Sequence, residues 1–122
     1  MTIGAFAKLC GVSEDTLRYY EKIGLIRHIA RDAVGRRYFK AEDLAWIEFV
    51  KRLKDTGMPL AEIKRYADLR EKGRSTLQAR YRLLKQHAVV LADRIRADSV
   101  NLDKLKQKMA FYKNEIAHKK SS

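Results

Sequence analysis

The sequence of 122 residues predicts a mainly α-helical chain, in which short helices and one small β-hairpin precede a single long helix. Three observations lead to this fold class. The chain has one proline and only six glycines, so few residues interrupt helices. Apolar residues recur at helical spacing except over about residues 26–40. From Ser75 to Ser122 there is no glycine or proline, and a heptad pattern over about six heptads indicates a helix that packs against another helix.

Two short helices joined by a tight turn are predicted over about residues 3–22. Thr2 is the expected N-cap of the first helix and Gly11 its expected end. Ser13 can cap the second helix, where Glu14 and Asp15 complement the positive end of the helix dipole. Together they form a helix-turn-helix pattern. The apolar face of the first helix consists of Ile3, Phe6, Ala7 and Cys10.

The second helix contains two adjacent tyrosines, Tyr19 and Tyr20, which cannot both face one core because neighbouring residues point about 100° apart. We expect this helix to bury Leu17 together with Tyr20 or Ile23. Tyr19 then stands outward beside Arg18. If the helix lies in a DNA major groove, an arginine can bind phosphate or guanine, and a tyrosine hydroxyl can bind a phosphate oxygen.

A small hairpin, or wing, is expected over about residues 26–40, because "IRHIA" and "RRYF" are compatible with strands and the stretch between them ends in Gly35. The wing carries a second cationic cluster, Arg36-Arg37-Tyr38. Two further helices follow, one ending at Gly57 and one beginning near Pro59 and ending at Gly73. The first of these two should direct inward Leu44, Ile47, Val50 and Leu53.

The remaining segment is predicted to be a coiled coil, so residues 1–71 and 72–122 are expected to form separate domains. A helix over 75–116 has a length of about 63 Å and needs a partner helix to bury its seam. Asp98 occupies one polar position in that seam. One apolar series is Leu77, Leu84, Leu91, Leu105 and Tyr112, and the second is Tyr81, Ala88, Ile95, Leu102, Met109 and Ile116.

The formal net charge of +12 favours a polyanionic partner, with nucleic acid first and an anionic membrane surface second. Residues 1–71 carry 14 basic and 11 acidic residues, whereas residues 72–122 carry 13 and 4. No apolar run approaches the roughly 20 residues of a membrane span, and the N-terminus is too short and polar for a signal peptide. We therefore expect a cytoplasmic protein that does not bind membranes.

Neither catalytic nor metal-binding patterns are present in the sequence. The single cysteine, Cys10, excludes an intrachain disulfide and a cysteine cluster, and its place on an apolar helix face favours a packing role. The histidines show no paired spacing. There is no glycine-rich phosphate loop and no nucleophile–base pattern, so we expect neither an enzyme nor a cofactor.

The sequence resembles the MerR (mercury-resistance regulator) family of bacterial transcription regulators through "TIGAFAKLCGVSEDTLRYYEKIGLI", "GRRYF" and "AEDLAWIEFVKRLKDTGMPLAEIK" in that order. The resemblance implies a winged DNA-binding domain and a homodimer held by an antiparallel coiled coil. The family pattern has an aromatic where Arg36 stands, so that contact differs here. The expected DNA-binding residues are Ser13, Thr16, Arg18, Tyr19 and Lys22 on the second helix, and Arg36, Arg37 and Tyr38 on the wing.

The same resemblance implies a dimeric regulator that binds double-stranded promoter DNA at a palindromic operator and distorts it so that RNA polymerase can engage. Only about six residues follow the coiled coil, too few to form an effector domain. The alternatives are a simple repressor and an architectural or excisionase-like DNA-bending protein. A coiled-coil adaptor whose basic face binds a membrane or another protein is a third alternative.

Overall fold

The computed structural model describes residues 1–121, which form five α-helices, one 3-10 turn and one antiparallel hairpin. The chain divides after Leu84 into two compact units. None of the helices in the described range combines the length and apolar character that crossing a membrane requires. The elements are α1 (Ile3–Cys10), α2 (Glu14–Lys22), β1 (Ala30–Arg31), β2 (Arg37–Tyr38), α3 (Ala41–Asp55), α4 (Leu60–Glu71) and α5 (Leu77–Ser121).

Helix α1 begins and ends where its capping residues predict. The Thr2 hydroxyl accepts a hydrogen bond from the Ala5 amide at 3.2 Å. Gly11 adopts the left-handed conformation with φ 71°, which a glycine accommodates without strain. The Lys51 ammonium of α3 donates to the Cys10 carbonyl at 2.6 Å. A positive charge at the negative end of α1 stabilises the helix and joins it to α3.

A single hydrophobic core in the first unit joins helices α1 to α4 and both ends of the hairpin. The predicted inward face of α3 is largely confirmed, since Ile47, Val50 and Leu53 are buried, while Leu44 is half-buried. Cys10 is also buried, as its place on the apolar face predicts. The most completely buried side chains are Phe6, Leu17, Leu25, Phe39, Ile47, Val50 and Ile63.

Trp46 is buried although it lies beside the predicted apolar stripe of α3. Its indole stacks on Tyr66 of α4 with ring centroids 5.9 Å apart, and its Nε1 donates to the Leu25 carbonyl at 2.8 Å. The Arg70 guanidinium covers the ring 4.3 Å from its centroid. The indole therefore has both a hydrogen-bond partner and aromatic neighbours, which allows a large polar aromatic in the core.

The hairpin is shorter than "IRHIA" and "RRYF" predict, because each strand pairs over two residues only. Ala30 lies opposite Tyr38, and Arg31 lies opposite Arg37. His28 adopts a positive φ of 58°, outside the β region, so the first strand does not extend back to it.

Beyond the second strand, Phe39 turns into the core. Its ring stacks on Phe6 of α1 at a centroid distance of 4.4 Å and an interplanar angle of 15°. Its backbone exchanges two hydrogen bonds with Met1, at 2.7 and 2.8 Å. The wing is therefore attached to the helix-turn-helix where β2 ends.

Helix α5 begins two residues later than predicted because a 3-10 turn, Arg74–Thr76, precedes it. The Thr76 hydroxyl donates to the carbonyl oxygens of Leu69 and Gly73, which connects the turn to the end of α4. Within the second unit, α5 continues alone and its heptad residues are exposed. These include Ile95, Leu102, Leu105, Met109, Tyr112 and Ile116.

Candidate nucleic-acid interface

The turn between α1 and α2 presents Ser13 and Thr16 at the start of α2. The Ser13 hydroxyl accepts from the Thr16 amide at 3.1 Å and donates to the Thr16 hydroxyl at 2.8 Å. Ser13 is therefore the N-cap that the sequence predicts. Both hydroxyls lie at the amino end of α2, where the helix dipole favours an anion.

The two adjacent tyrosines of α2 face in different directions. Tyr20 is buried, whereas Tyr19 is 49% exposed beside Arg18. The Arg18 guanidinium pairs with Asp15 at 3.1 Å and approaches Glu14 at 3.7 Å, one turn earlier on the helix. Because these partners are exposed, Arg18 can exchange a carboxylate for a phosphate or a base at small cost.

Two further predicted contact residues, Lys22 and Tyr38, are exposed. Lys22 is the last residue of α2, and Tyr38 ends β2 with 48% of its surface accessible. Their side chains are therefore available to an external partner.

The tip of the wing is organised by the Asp32 carboxylate. Its oxygens accept hydrogen bonds from the backbone amides of Val34 and Arg36, at 3.0 and 2.9 Å, and from the Arg36 guanidinium at 3.1 Å. The Arg36 backbone hydrogen bond, with the other donors, lowers the pKa of Asp32 below its usual value. Gly35 supplies the positive φ of 84° that the turn requires.

The base of the wing is joined to α2 through Glu21. Its Oε1 atom accepts a hydrogen bond from Arg37 Nε at 2.7 Å and lies 3.7 Å from a terminal nitrogen of Arg31. The Glu21 and Arg37 side chains are only 23% and 27% exposed. Arg37 is therefore an ordered part of the wing rather than a mobile surface charge.

A groove of about 530 Å³ lies between the amino ends of α1 and α2 and the wing. Its lining contains the arginines Arg18, Arg31, Arg36 and Arg37 and one carboxylate, Glu14. Three predicted contact residues therefore meet at one basic surface. The other five are not among its lining residues: Ser13, Thr16, Tyr19, Lys22 and Tyr38.

Sequence reasoning missed Arg31 and Glu21. Arg31 lies opposite Arg37 in the hairpin, so the exact strand register is the signal that identifies it. Glu21 looks like an ordinary helix-surface acid until the wing is placed against α2. Its role depends on contacts 10 and 16 residues away along the chain.

The acidic and histidine side chains of the described residues do not form a metal site. Over residues 1–121, no group of three His, Cys, Asp or Glu side chains is arranged to hold a metal ion. His28 lies 2.6 Å from Glu71, and this hydrogen bond lowers the pKa of Glu71. The pair joins the segment before β1 to the end of α4.

Comparison with known proteins is decisive for the family. Residues 1–70 match the model of the MerR HTH family regulatory proteins, and residues 44–110 match the MerR DNA-binding model. The chain belongs to the MerR family.

Two relatives in the MerR family match nearly the whole length of this chain. An uncharacterised HTH-type transcriptional regulator from Haemophilus influenzae is 37% identical over 116 residues, which cover 95% of this chain and 86% of the relative. A MerR-family regulator from Listeria monocytogenes has a structure with a TM-score of 0.87 and 40% identity, covering 92% of this chain and 85% of that one.

A third relative, HiNmlR, is described as a MerR family regulator lacking the sensor domain, and its structure is bound to promoter DNA. It gives a TM-score of 0.85 and 36% identity, covering 95% of this chain and 92% of its own. These comparisons confirm that this member of the MerR family is a DNA-binding transcription regulator. The prediction that it is not an enzyme is confirmed as well, since its relatives are regulators.

Proposed function

We propose that the protein acts as a homodimer on a palindromic promoter operator and activates transcription by distorting the DNA between the two promoter elements. The observation that carries this proposal is the shared basic groove, in which Arg18 of α2 and the wing arginines face one space. Residues 1–71 are the proposed DNA-binding domain, and residues 72–122 the proposed dimerisation segment.

In this proposal α2 enters the major groove and the wing lies along the phosphate backbone. Arg18 and Tyr19 contact base edges or phosphates, while Ser13, Thr16 and Lys22 contact phosphates near the ends of α2. Arg36, Arg37 and Tyr38 supply the backbone contacts from the wing. The exposure of Tyr19 and Tyr38 and the basic groove support these roles.

Dimerisation is supported by the exposed apolar seam of α5. Three apolar residues at heptad spacing are between 50% and 67% exposed in the single chain: Ile95, Leu102 and Met109. In a parallel coil, Asp98 of each chain would face its own copy in the seam. An antiparallel coil places it near basic residues such as Arg94 and Arg96 of the second copy, so we propose the antiparallel arrangement.

A rigid dimer that binds two half-sites at once can distort the DNA between them. Bending or untwisting a site by tens of degrees costs about 1–6 kcal/mol. Several charge-assisted phosphate contacts in each half-site can offset that cost. RNA polymerase then engages a promoter whose elements are otherwise misaligned.

The length of the promoter spacer tests this mechanism. Binding sites are first selected from genomic DNA with the purified protein, and a promoter among them is then shortened by one or two base pairs between its elements. Transcription is measured with and without the protein. We expect the shortened promoter to be strong without the protein; a shortened promoter that stays weak and still needs the protein contradicts distortion.

The distribution of the selected sites separates the alternatives. Sites within promoter spacers support an activator, whereas sites that overlap promoters and reduce transcription indicate a simple repressor. Scattered or recombination-associated sites indicate an architectural protein. Binding to anionic vesicles without any palindromic DNA preference indicates the adaptor function.

A further inference from the structure

We propose that Glu21 is a positioning residue for DNA binding. It holds the two arginines at the base of the wing, Arg31 and Arg37, against α2, the helix that enters the DNA major groove in the proposed function. The inference rests on the proposed function, because it assigns a role to Glu21 in that same DNA interface. Glu21 carries a negative charge and lies beside a basic surface, so a direct contact with DNA is electrostatically unfavourable. Its contacts within the protein explain what it does there.

Glu21 lies where two positive charges are forced together. Arg31 and Arg37 are directly opposite in the antiparallel ladder, so their side chains leave the same face of the hairpin. Like charges in this arrangement repel each other. One carboxylate oxygen of Glu21 serves both arginines, at 3.7 and 2.7 Å, and offsets that repulsion.

The hairpin needs such a contact because its strands are too short to orient it. Two residues in each strand form too small a ladder to be stable alone. The Phe39 ring anchors the hairpin where β2 ends. Glu21 adds an anchor at its base, on the side that faces α2, so the wing and α2 keep a fixed relative position before DNA binds.

The contact between Arg37 and Glu21 leaves the terminal nitrogens of Arg37 available to bind DNA. Only Nε donates to Glu21, and within residues 1–121 the two terminal nitrogens form no hydrogen bond or ion pair. These nitrogens hold four N–H donors in one plane, which suits a phosphate. Glu21 therefore orients the guanidinium without occupying the edge that binds DNA.

The test compares Glu21→Met with Glu48→Met in the full chain, using an operator duplex and fluorescence anisotropy. Each change removes one negative charge and keeps a good helix former. Glu48 is exposed on α3 and has no ion pair in the described part of the chain, which makes it the matched control. Simple attraction to DNA predicts that both variants bind more tightly.

If Glu21 positions the wing arginines, removing its charge should instead lower the operator affinity, and only the Glu21 variant should show this loss. Glu21→Met should weaken operator binding roughly tenfold, while Glu48→Met leaves it unchanged or slightly tighter. The slope of log affinity against log salt should also fall by about one, because Arg37 is no longer held at its phosphate. Equal or tighter binding by Glu21→Met, or an unchanged slope, overturns the proposal.

A double variant tests whether Glu21 acts through Arg37. In an Arg37→Gln background, Glu21→Met should cost clearly less affinity than in the wild-type background, because only the Arg31 contact remains to be lost; an equal or larger loss in that background overturns the proposal. If Glu21→Met fails to fold, Glu21→Asp keeps the charge and withdraws it by one methylene. Wild-type affinity in Glu21→Asp then overturns the proposal. A wild-type chain that binds no selected duplex refutes the proposed function instead.

Discussion

Replacing Arg18 with alanine is the most direct test of the proposal that α2 enters the DNA major groove. In the unbound protein, Arg18 pairs with Asp15, whose side chain is 98% exposed, and approaches the half-exposed Glu14. Ion pairs this exposed contribute about 0.2–1 kcal/mol to stability, so DNA can displace the carboxylates cheaply. A bidentate contact with a base then contributes about 1–3 kcal/mol to binding.

Arg18→Ala should therefore weaken operator binding by about 5- to 150-fold if Arg18 reads a base. If Arg18 instead holds a phosphate, the salt slope should fall by about one and all duplexes should be affected alike. The melting temperature should stay nearly unchanged, because the lost contacts lie on the surface and alanine favours the helix. Anisotropy titrations at several salt concentrations measure both quantities.

A variant of Asp15, the carboxylate partner of Arg18, should have the opposite effect on operator affinity. Asp15→Asn removes the intramolecular competitor for Arg18 and should tighten operator binding by up to about fivefold. Wild-type affinity and an unchanged salt slope in Arg18→Ala refute the groove-facing assignment. Tightening by Asp15→Asn that persists in the Arg18→Ala background shows that the carboxylate acts by general charge and not through Arg18.

Three further outcomes are expected. Leu102→Asp places a charge in the exposed seam of α5 and should convert the proposed dimer to a monomer, as measured by sedimentation, with much weaker operator affinity in anisotropy titrations. A wild-type monomer at micromolar concentration, or cross-links that join residue 77 to its own copy, contradicts the proposed antiparallel dimer. Cys10→Ala should retain DNA binding and regulation with a modest loss of stability, because Cys10 is buried; a variant that binds normally but no longer responds to thiol-reactive compounds contradicts its packing role. Since the pKa of Asp32 is lowered in the folded wing, its stabilising effect is present above the usual value of 3.8 and is lost as the pH falls through the lowered value. Hydrogen-exchange protection of the Val34 and Arg36 amides, measured relative to their intrinsic exchange rates at each pH, should fall over that range. Asp32→Asn should abolish this pH dependence, and equal protection of the wild-type amides at all pH values contradicts the prediction.

The elements that the sequence predicted well are those whose signals are local. Thr2 and Ser13 cap their helices as expected, and the orientations of Tyr19 and Tyr20 follow from helix geometry alone. The long heptad pattern likewise predicted α5, although Thr76 inserts a 3-10 turn before it.

The features that could not be predicted depend on contacts between distant segments. Trp46 is buried because Tyr66 and the Leu25 carbonyl lie against it, and neither is visible in the periodicity of α3. The first strand cannot extend back through His28, whose φ is positive. Glu21 is ordinary in the sequence and gains its role only when the hairpin folds against α2.

The wing begins and ends in the core, since Ile26 and Phe39 are 3% and 2% exposed on either side of it. The twelve residues between them form a loop whose closure is imposed by the core. Doubling the length of such a loop costs only about 0.6 kcal/mol of chain entropy. At its tip, Val34 is exposed and a side chain on Gly35 would meet no atom within 4 Å. Insertions at the tip should therefore change how far the protein reaches along a DNA backbone while the helical core folds as before.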